Sequence, residues 1–391
     1  MTLKRNTRLL IKISVVMAIV VVIALLSSCV RGMQPIGWSG VVINNGTAFT
    51  GSKEGRLVSV NLSNSSKLLA ETLKLPTSGS SCSSSSGGSA CGGTATAIAI
   101  YGSPAFANVP VFGDLVYVAG YNGKVFAYDA ANLQQRWVYP VDGNLNPIVG
   151  GVTISGSTLF FGGTDGYVYA LDTSTGALKW KHATNGEIWA SPTVDNDTVF
   201  ISSFDRKVYA LSAATGDEKW TFTTGANNVA TALVSGGIVY VGSLDRNLYA
   251  LNETDGKEIW RYAGGNWFWA KPVLANGLIF APNLDNNVYA LDAKLGAQGK
   301  LQTFDMQGQV AAWPVVVNNQ VVVATQNAKL WTIDATNLTV SPVLVATIPE
   351  NATAPLAADG DKVYVNAPDN KIYGYNITTK AVLQSISLAS Q

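Results

Sequence analysis

Short runs of alternating apolar and polar residues fill most of the chain, and each run ends in glycine, asparagine or aspartate. Within residues 188–224 four such runs centre on Val194, Phe200, Tyr209 and Trp220. A period of two predicts half-buried strands, and the intervening Gly, Asn and Asp predict turns. This stretch therefore predicts four consecutive antiparallel strands.

The four-strand pattern returns eight times along the chain. The residues aligned with Tyr209 mark the copies, and they are Val58, Phe126, Tyr169, Tyr209, Tyr249, Tyr289, Trp331 and Tyr373. From the second copy onward they recur at intervals of about forty residues, the period of a β-propeller blade, which has four strands and buries its faces only against neighbouring blades. The sequence predicts an all-β, eight-bladed propeller of four-stranded antiparallel blades, as one domain over residues 38–391.

A second position, at the start of each inner strand, supports the alignment. It precedes the anchor by the same distance in the first seven copies and by one position more in the last, at Val41, Val109, Val152, Pro192, Ala232, Pro272, Pro314 and Pro355.

Four tryptophans follow their anchors at a constant distance: Trp137, Trp180, Trp220 and Trp260. A large ring at a fixed place in each copy predicts a wedge between blades rather than a binding site. The remaining copies have Leu69, Lys300, Pro342 and Gln384 in that place. We therefore expect the ring to be least tightly docked near its seam.

An acidic or amide side chain stands one turn before every anchor, at Glu54, Asn122, Asp165, Asp205, Asp245, Asp285, Asn327 and Asp369. Such a ring could hold a cation. Asp and Asn also favour turns by accepting hydrogen bonds from their own backbone, and this interpretation is the stronger one.

Residues 1–28 have the composition of an export signal. Four basic residues fall within the first twelve, and the run from Ile13 to Leu26 is apolar apart from Ser14. A permanent signal anchor is the alternative, but Leu26-Ser27-Ser28-Cys29 resembles a bacterial lipobox, in which small residues precede the lipid-bearing cysteine. This predicts a lipidated Cys29 and a tether over 29–37, on the extracytoplasmic side of either the inner or the outer membrane.

Two further cysteines, Cys82 and Cys91, lie within a Ser- and Gly-rich insertion at residues 77–94. An oxidising envelope favours a disulfide between them, and two free thiols are the alternative. Without residues 1–28 acidic side chains slightly outnumber basic ones, so no basic footprint for nucleic acid remains.

The segment Tyr169–Trp180, with Gly176 shortly before its tryptophan, resembles the repeat shared by pyrroloquinoline-quinone (PQQ) dehydrogenases and PQQ-like propellers of the BamB type. The lipobox makes the chain similar to the envelope lipoprotein branch of that family. A dehydrogenase needs a base and clustered ligands for a divalent cation, but the sole histidine, His182, falls on an outer strand, and no vicinal cysteine pair occurs. We therefore predict no catalytic residue, cofactor or metal.

One face of the predicted ring combines aromatic and basic residues. Shortly before the inner-strand position stand Trp38, Phe106, Val149, Trp189, Val229, Trp269, Ala311 and Ala352, at the mouth of the central funnel. Trp267-Phe268-Trp269 and Trp313 add aromatic rings, and Phe204, Arg206 and Arg246 lie in turns nearby. Aromatic residues with arginine are typical of interface hot spots, although the tryptophans could also simply plug the funnel.

These residues favour a lipid-anchored, non-catalytic scaffold that binds a protein or peptide partner, which the resemblance places in envelope protein assembly. The alternative is a quinone-dependent or carbohydrate-binding propeller.

Overall fold

The computed structural model describes residues 39–73, 98–383 and 385–389, and these form eight antiparallel four-stranded sheets. Each sheet consists of four consecutive strands of the chain, in sequence order from the inner to the outer edge. The predicted all-β, eight-bladed propeller is therefore confirmed. Cys29, Cys82 and Cys91 lie outside the described residues, so the lipidation and the disulfide stay predictions.

The first four blades contain sixteen strands. Blade 1 has β1 (Val42–Asn44), β2 (Thr47–Gly51), β3 (Arg56–Asn61) and β4 (Ser66–Thr72); blade 2 has β5 (Ala105–Val109), β6 (Gly113–Gly120), β7 (Lys124–Asp129) and β8 (Gln135–Tyr139); blade 3 has β9 (Thr153–Ser155), β10 (Thr158–Gly162), β11 (Tyr167–Asp172) and β12 (Leu178–Ala183); blade 4 has β13 (Thr193–Asp195), β14 (Thr198–Ser202), β15 (Lys207–Ser212) and β16 (Glu218–Thr223).

The last four blades repeat this arrangement. Blade 5 has β17 (Leu233–Ser235), β18 (Ile238–Gly242), β19 (Asn247–Asn252) and β20 (Glu258–Ala263); blade 6 has β21 (Val273–Ala275), β22 (Leu278–Pro282), β23 (Asn287–Asp292) and β24 (Gly296–Asp305); blade 7 has β25 (Val315–Val317), β26 (Gln320–Ala324), β27 (Lys329–Asp334) and β28 (Val343–Thr347); blade 8 has β29 (Ala357–Asp359), β30 (Lys362–Ala367), β31 (Lys371–Asn376) and β32 (Ile386–Ser387).

The hydrophobic core lies between blades, because the two middle strands of each sheet are apolar on both faces. In β15, for example, Val208, Tyr209, Ala210 and Leu211 are all buried, and they belong to two different clusters shared with the neighbouring blades. Each blade thus stabilises the next, as the repeat requires.

The repeated tryptophans dock one blade on the next through a glycine. The Trp220 indole donates a hydrogen bond to the Glu253 carbonyl of blade 5 at 2.8 Å. Its ring lies so close to Gly256 that an added Cβ there would meet Trp220 Cε3 at 2.5 Å, and Gly256 also has φ +70°. Trp137, Trp180 and Trp260 make the same contacts with the next blade, which confirms that these residues pack rather than bind.

The ring closes between blade 8 and blade 1 without exchange of strands. Asn366 donates from its side-chain amide to the Ser39 carbonyl at 2.8 Å and to Thr50 Oγ1 at 2.9 Å. Lys67 donates to the Ala389 carbonyl at 2.8 Å, on the outer side of the same junction. The seam therefore has polar contacts of its own, and its weaker docking stays a prediction.

Two inner strands lie in a register different from the predicted one. In blade 2, Ala105 pairs with Tyr117 as Thr193 pairs with Phe200 in blade 4, so Pro104 replaces Val109 at the position of Pro192. In blade 8, Ala357 pairs with Tyr364, so Leu356 replaces Pro355. The distance to the anchor in blade 8 then equals that in the regular blades, whereas blade 2 has a longer inner hairpin.

The strand pairing also corrects two residues at the tryptophan position. Ala290 pairs with Gln302 in blade 6, and Thr332 pairs with Val343 in blade 7, as Ala210 pairs with Trp220. Gln302 and Val343, rather than Lys300 and Pro342, therefore take the place of the tryptophan.

Candidate partner-binding face

Two kinds of segment form one face of the ring, which we call the loop face. They are the turns between the second and third strands and the loops from each outer strand to the next blade. In blade 4 the Thr224 amide, at the start of the outgoing loop, donates to the Arg206 carbonyl at 2.8 Å, and Gly264 bonds Arg246 in the same way in blade 5. The turn therefore holds the loop in place, and the side chains of both segments project from a hydrogen-bonded backbone.

The turn aspartates predicted from sequence hold this arrangement together. Asp205 accepts hydrogen bonds from the Lys207 amide at 3.0 Å, the Tyr209 hydroxyl at 2.5 Å and the Asn185 amide of the incoming loop at 3.0 Å. Burial, followed by the hydrogen bond to Asp205, raises the pKa of Tyr209, so its hydroxyl remains a donor. These contacts confirm a turn role for Asp205, and no three His, Cys, Asp or Glu side chains converge as a metal site within the described ranges.

Arg206 and Arg246 occupy a backbone conformation that arginine rarely adopts. Both have φ +73°, in the left-handed region, where a Cβ costs about 1–2 kcal/mol. The same turn position holds glycine in blades 1 to 3, asparagine in blades 6 and 8, and alanine in blade 7: Gly55, Gly123, Gly166, Asn286, Asn370 and Ala328. The fold therefore favours a residue without a long side chain at this position.

The two guanidinium groups make no polar contact with the described part of the chain. Both arginines are exposed, and neither side chain forms a hydrogen bond or an ion pair with any residue that the structure describes. They lie at equivalent positions on adjacent blades. Strained residues that persist without a structural partner are concentrated at functional sites.

Trp189 and Phe204 form a preassembled aromatic pair, with ring centroids 4.7 Å apart and a tilt of 54°. Trp189 comes from the loop entering blade 4, and Phe204 comes from the turn of the same blade. The Trp189 indole donates to Glu187 Oε2 at 2.9 Å, on an exposed residue of its own loop. Both rings are half-buried, so each keeps surface for a ligand.

A second aromatic pair stands at the same two positions in blade 2, and the sequence prediction missed it. Tyr101 takes the place of Trp189 and Tyr121 that of Phe204, with ring centroids 5.2 Å apart. Burial, followed by the charge of Tyr121, raises the pKa of Tyr101 to about 12. Tyr121 and Trp189 both pack on the buried cluster of Ala99, Tyr101 and Val149, so these two half-buried rings belong to one surface, with Tyr101 beneath it.

The corrected registers also remove two predicted funnel residues. Phe106 lies within β5 and packs on Phe49 with centroids 4.9 Å apart, beneath the opposite face of the ring. In blade 8, Thr353 rather than Ala352 takes the funnel position, and Ala352 is buried.

The Trp267-Phe268-Trp269 stretch divides between core and surface. Phe268 is only 1% exposed, packs in the core shared with Tyr289, and so does not join the binding face. Trp267 and Trp269 are half-buried, and their indole N–H groups donate to no described residue. The Trp267 backbone carbonyl accepts from Leu284 at 3.1 Å, as the equivalent carbonyls of Glu187 and Asn227 accept in blades 4 and 5, so the fold uses its backbone rather than its ring.

Trp313 lies slightly deeper than the other aromatic residues, at the position of Ser191 just before the inner strand. Residues at this position touch one another round the channel: Ser191 Oγ accepts from the Gly151 amide at 2.7 Å, and the Ser191 amide donates to Thr231 Oγ1 at 3.0 Å. Lys271 holds the same position in blade 6, and burial lowers its pKa. Trp313 and Lys271 thus border the central channel from adjacent blades.

The loop face therefore presents an aromatic and aliphatic arc from blade 2 to blade 6, and beside it lie Arg206 and Arg246, which are unpaired within the described part of the chain. His182 lies on outer strand β12 against Tyr209, at a centroid distance of 5.9 Å, as predicted. The described segments contain no helix long and apolar enough to cross a membrane.

Eight four-stranded blades, of which the regular ones dock through a tryptophan on a glycine of the next blade, define a repeat propeller. The model of the family described as outer membrane protein assembly factor BamB matches residues 143–235, 225–299 and 300–391, and the chain belongs to this family. The predicted resemblance to the BamB-type PQQ-like repeat is thereby confirmed.

Two solved structures extend this result. The chain is similar to BamB from Moraxella catarrhalis, with 18% identity and a TM-score of 0.60 over 72% of this chain and 84% of that chain. It is also similar to the computationally designed Ika8 protein, with 16% identity and a TM-score of 0.69 over 89% of this chain and 98% of that chain. These similarities show the fold. No curated protein matches the sequence.

Proposed function

We propose that this protein is a lipid-anchored, extracytoplasmic, non-catalytic scaffold that binds a protein or peptide partner on its loop face during envelope protein assembly. Membership of a family described as an outer membrane assembly factor supports the process. The signal-like segment and the lipobox before Cys29 support the location.

The observation that carries the proposal is the pair of arginines at positive φ. Arg206 and Arg246 both have φ +73°, are exposed, and form no side-chain hydrogen bond or ion pair with the described part of the chain. A partner that supplies carboxylates would pair with both guanidinium groups, since arginine binds carboxylates bidentately. The half-buried rings of Trp189, Phe204 and Trp267 beside them would supply the apolar centre of the contact.

The tether would place this face near the membrane. Ser39, the first described residue, lies at the channel mouth on the loop-face side, where its carbonyl accepts from Asn366. Cys29 precedes it by only a short segment, and a chain of about ten residues spans at most about 33–36 Å. A partner bound on the loop face would therefore meet the protein close to the membrane surface.

Site-specific photo-crosslinking in the native host tests the proposal. A crosslinking amino acid at Leu244, on the loop face, should capture an envelope protein of the assembly machinery, whereas one at exposed Lys294, on the opposite face, should not. Trp267→Ala should weaken the Leu244 crosslink without lowering the amount of folded protein. Capture of the same protein from both positions, or undiminished capture by the variant, would contradict a partner site on this face.

A further inference from the structure

A cleft of about 520 Å³ opens on the opposite face of the ring, between blades 1 and 2. We call this side the hairpin face, because it carries the turns between the first and second strands and between the third and fourth strands of each blade. The cleft is bordered by the turn after Asn44, by the long inner hairpin of blade 2 from Phe106 to Asp114, and by the outer turn that begins at Asp129. Its volume falls within the range of small-ligand sites, roughly 300–1,000 Å³.

Three other junctions show what can close this gap. An asparagine in the inner hairpin turn donates to the outer turn of the next blade at three junctions: Asn196 to Glu253 at 3.2 Å, Asn276 to the Ala335 carbonyl at 3.2 Å, and Asn318 to Thr378 at 3.4 Å. Asn45 is the equivalent residue of blade 1, and its side chain makes no hydrogen bond with any described residue. The cleft therefore lies where three other junctions have an asparagine hydrogen bond between blades.

The polar rim of the cleft is ordered in advance. Asp114 accepts from Asn44 Nδ2 at 3.2 Å and from Asn108 Nδ2 at 2.8 Å, so one carboxylate joins the two hairpins. The side-chain oxygens of both asparagines accept no hydrogen bond from described residues. Asp129 accepts from Arg136 at 2.6 Å, which lowers the pKa of that carboxyl. The rim thus offers carboxylate and amide oxygens together, and Arg136 beside it is paired with Asp129.

The apolar part of the cleft is aromatic. Phe49 and Phe106 form its floor with centroids 4.9 Å apart. Phe112, at the tip of the long hairpin, leaves 39% of its surface exposed, and the Arg136 guanidinium lies 5.7 Å from its ring centroid. Among the described inner hairpins, that of blade 2 alone is long enough to place an aromatic ring here.

We propose that this cleft binds a neutral sugar ring of an oligosaccharide. Sugar hydroxyls both donate and accept, which suits a rim of carboxylate and amide oxygens, whereas the C–H faces of the ring suit an aromatic wall. The Asp114 carboxylate, which has only neutral asparagine partners among the described residues, disfavours phosphates and other anions, because like charges repel. The site lies on the face opposite Arg206 and Arg246, so it is independent of the proposed protein partner.

Isothermal titration calorimetry of the full-length protein in detergent tests this site. The probes are neutral hexasaccharides of glucose, galactose, mannose and N-acetylglucosamine, with hexalysine as a cationic peptide. At least one hexasaccharide should bind, and Phe112→Ala should weaken that binding about two- to tenfold, the value of one aromatic contact. Ala131→Trp, which places an indole in the cleft from an exposed position, should abolish it.

The matched control is Phe204→Ala, which removes an aromatic ring from the loop face and should leave sugar affinity unchanged. Thermal unfolding of each variant verifies that the blades remain folded. Three results would overturn the proposal: no hexasaccharide binds the wild type at millimolar concentration, Ala131→Trp binds as the wild type does, or hexalysine alone binds.

Discussion

Replacing Arg206 and Arg246 together by glycine should keep the fold and remove the binding function. Both residues hold φ +73° in a turn whose conformation glycine adopts in three other blades. The backbone carbonyls of these residues, rather than their side chains, bond the outgoing loops at 2.8 Å, and glycine retains those carbonyls. The double variant therefore deletes two guanidinium groups and leaves the hydrogen bonds of the loop face in place.

The magnitude follows from two opposing terms. Relief of the left-handed conformation gains about 1–2 kcal/mol at each site. The greater conformational freedom of glycine in the unfolded chain lowers the free energy of unfolding by about 0.5–1 kcal/mol. The free energy of unfolding should thus rise by about 0–1.5 kcal/mol per site. The loss of both guanidinium groups should weaken partner binding at least tenfold, because arginines at hot spots contribute about 2 kcal/mol or more.

Urea denaturation followed by tryptophan fluorescence measures the first quantity, as a shift of the midpoint at constant slope. Crosslinking from Leu244 measures the second. Asn286→Gly is the control, since Asn286 occupies the same turn in blade 6 with φ +77° and its side chain forms no hydrogen bond with described residues. It should leave both stability and capture nearly unchanged, because asparagine tolerates this conformation.

Two outcomes would refute the reasoning. If the double variant unfolds with a free energy more than about 1 kcal/mol below that of the wild type, the guanidinium groups support the fold, and the argument from missing contacts fails. If the variant is as stable as expected but captures the partner as the wild type does, Arg206 and Arg246 do not contribute to partner binding.

Three further predictions concern docking, acidity and the anchor. Trp220→Ala should cost about 3–5 kcal/mol as a large-to-small core change, whereas Trp267→Ala should cost less than about 1 kcal/mol; equal costs in thermal unfolding would make Trp267 a core residue. Burial acts to raise the pKa of Asp172, but hydrogen bonds from Ser174 and Thr175 lower this pKa to about 2. Its stabilising effect should therefore be complete above about pH 4 and be lost as pH falls towards 2, a decline that Asp172→Asn should lessen in acid unfolding curves. Cys29→Ser should abolish lipidation and release the protein from membranes or leave a precursor, and unchanged mass with unchanged membrane retention would count against it.

The fold could be predicted because every blade buries the same apolar positions against its two neighbours. Tyr209 and its equivalents lie between two sheets, so the sequence must repeat an apolar residue there at each period. Trp220 and Gly256 form one contact between neighbouring blades, which explains why each regular blade keeps both a glycine and a tryptophan at these positions. The position of the turn aspartates follows from the same backbone geometry.

The misplaced register of blade 2 has a physical cause. The prediction assumed inner hairpins of constant length, and Val109 is apolar at the expected distance from the anchor. Blade 2 instead has a longer hairpin, which moves the start of its inner strand back to Pro104. The segment Ile100–Pro104 matches Ile188–Pro192 in order of residue types, and that likeness would have located Tyr101 at the funnel position.

Adjacent aromatic residues in a strand-like segment point in alternate directions, which explains the error at Phe268. Its equivalents Ile188 and Val310 are buried in their blades, so position in the repeat was a better guide than local composition. The cleft at Phe112 could not be predicted, because it depends on how the long hairpin of blade 2 packs against blade 1, where the Asn45 side chain forms no hydrogen bond with described residues.

A residue that a propeller needs for folding recurs round the ring, whereas a side chain that serves one ligand occurs once or twice. Arg206 and Arg246 replace glycine in adjacent blades, and Phe112 stands on a hairpin extension that occurs in blade 2. The arginines and the phenylalanine lie on opposite faces with no shared contact, so their substitutions should act additively. With the tether leaving from the loop-face side at Ser39, the hairpin face would point away from the membrane. The same chain could then hold a protein partner at the membrane surface while its second face contacts a glycan.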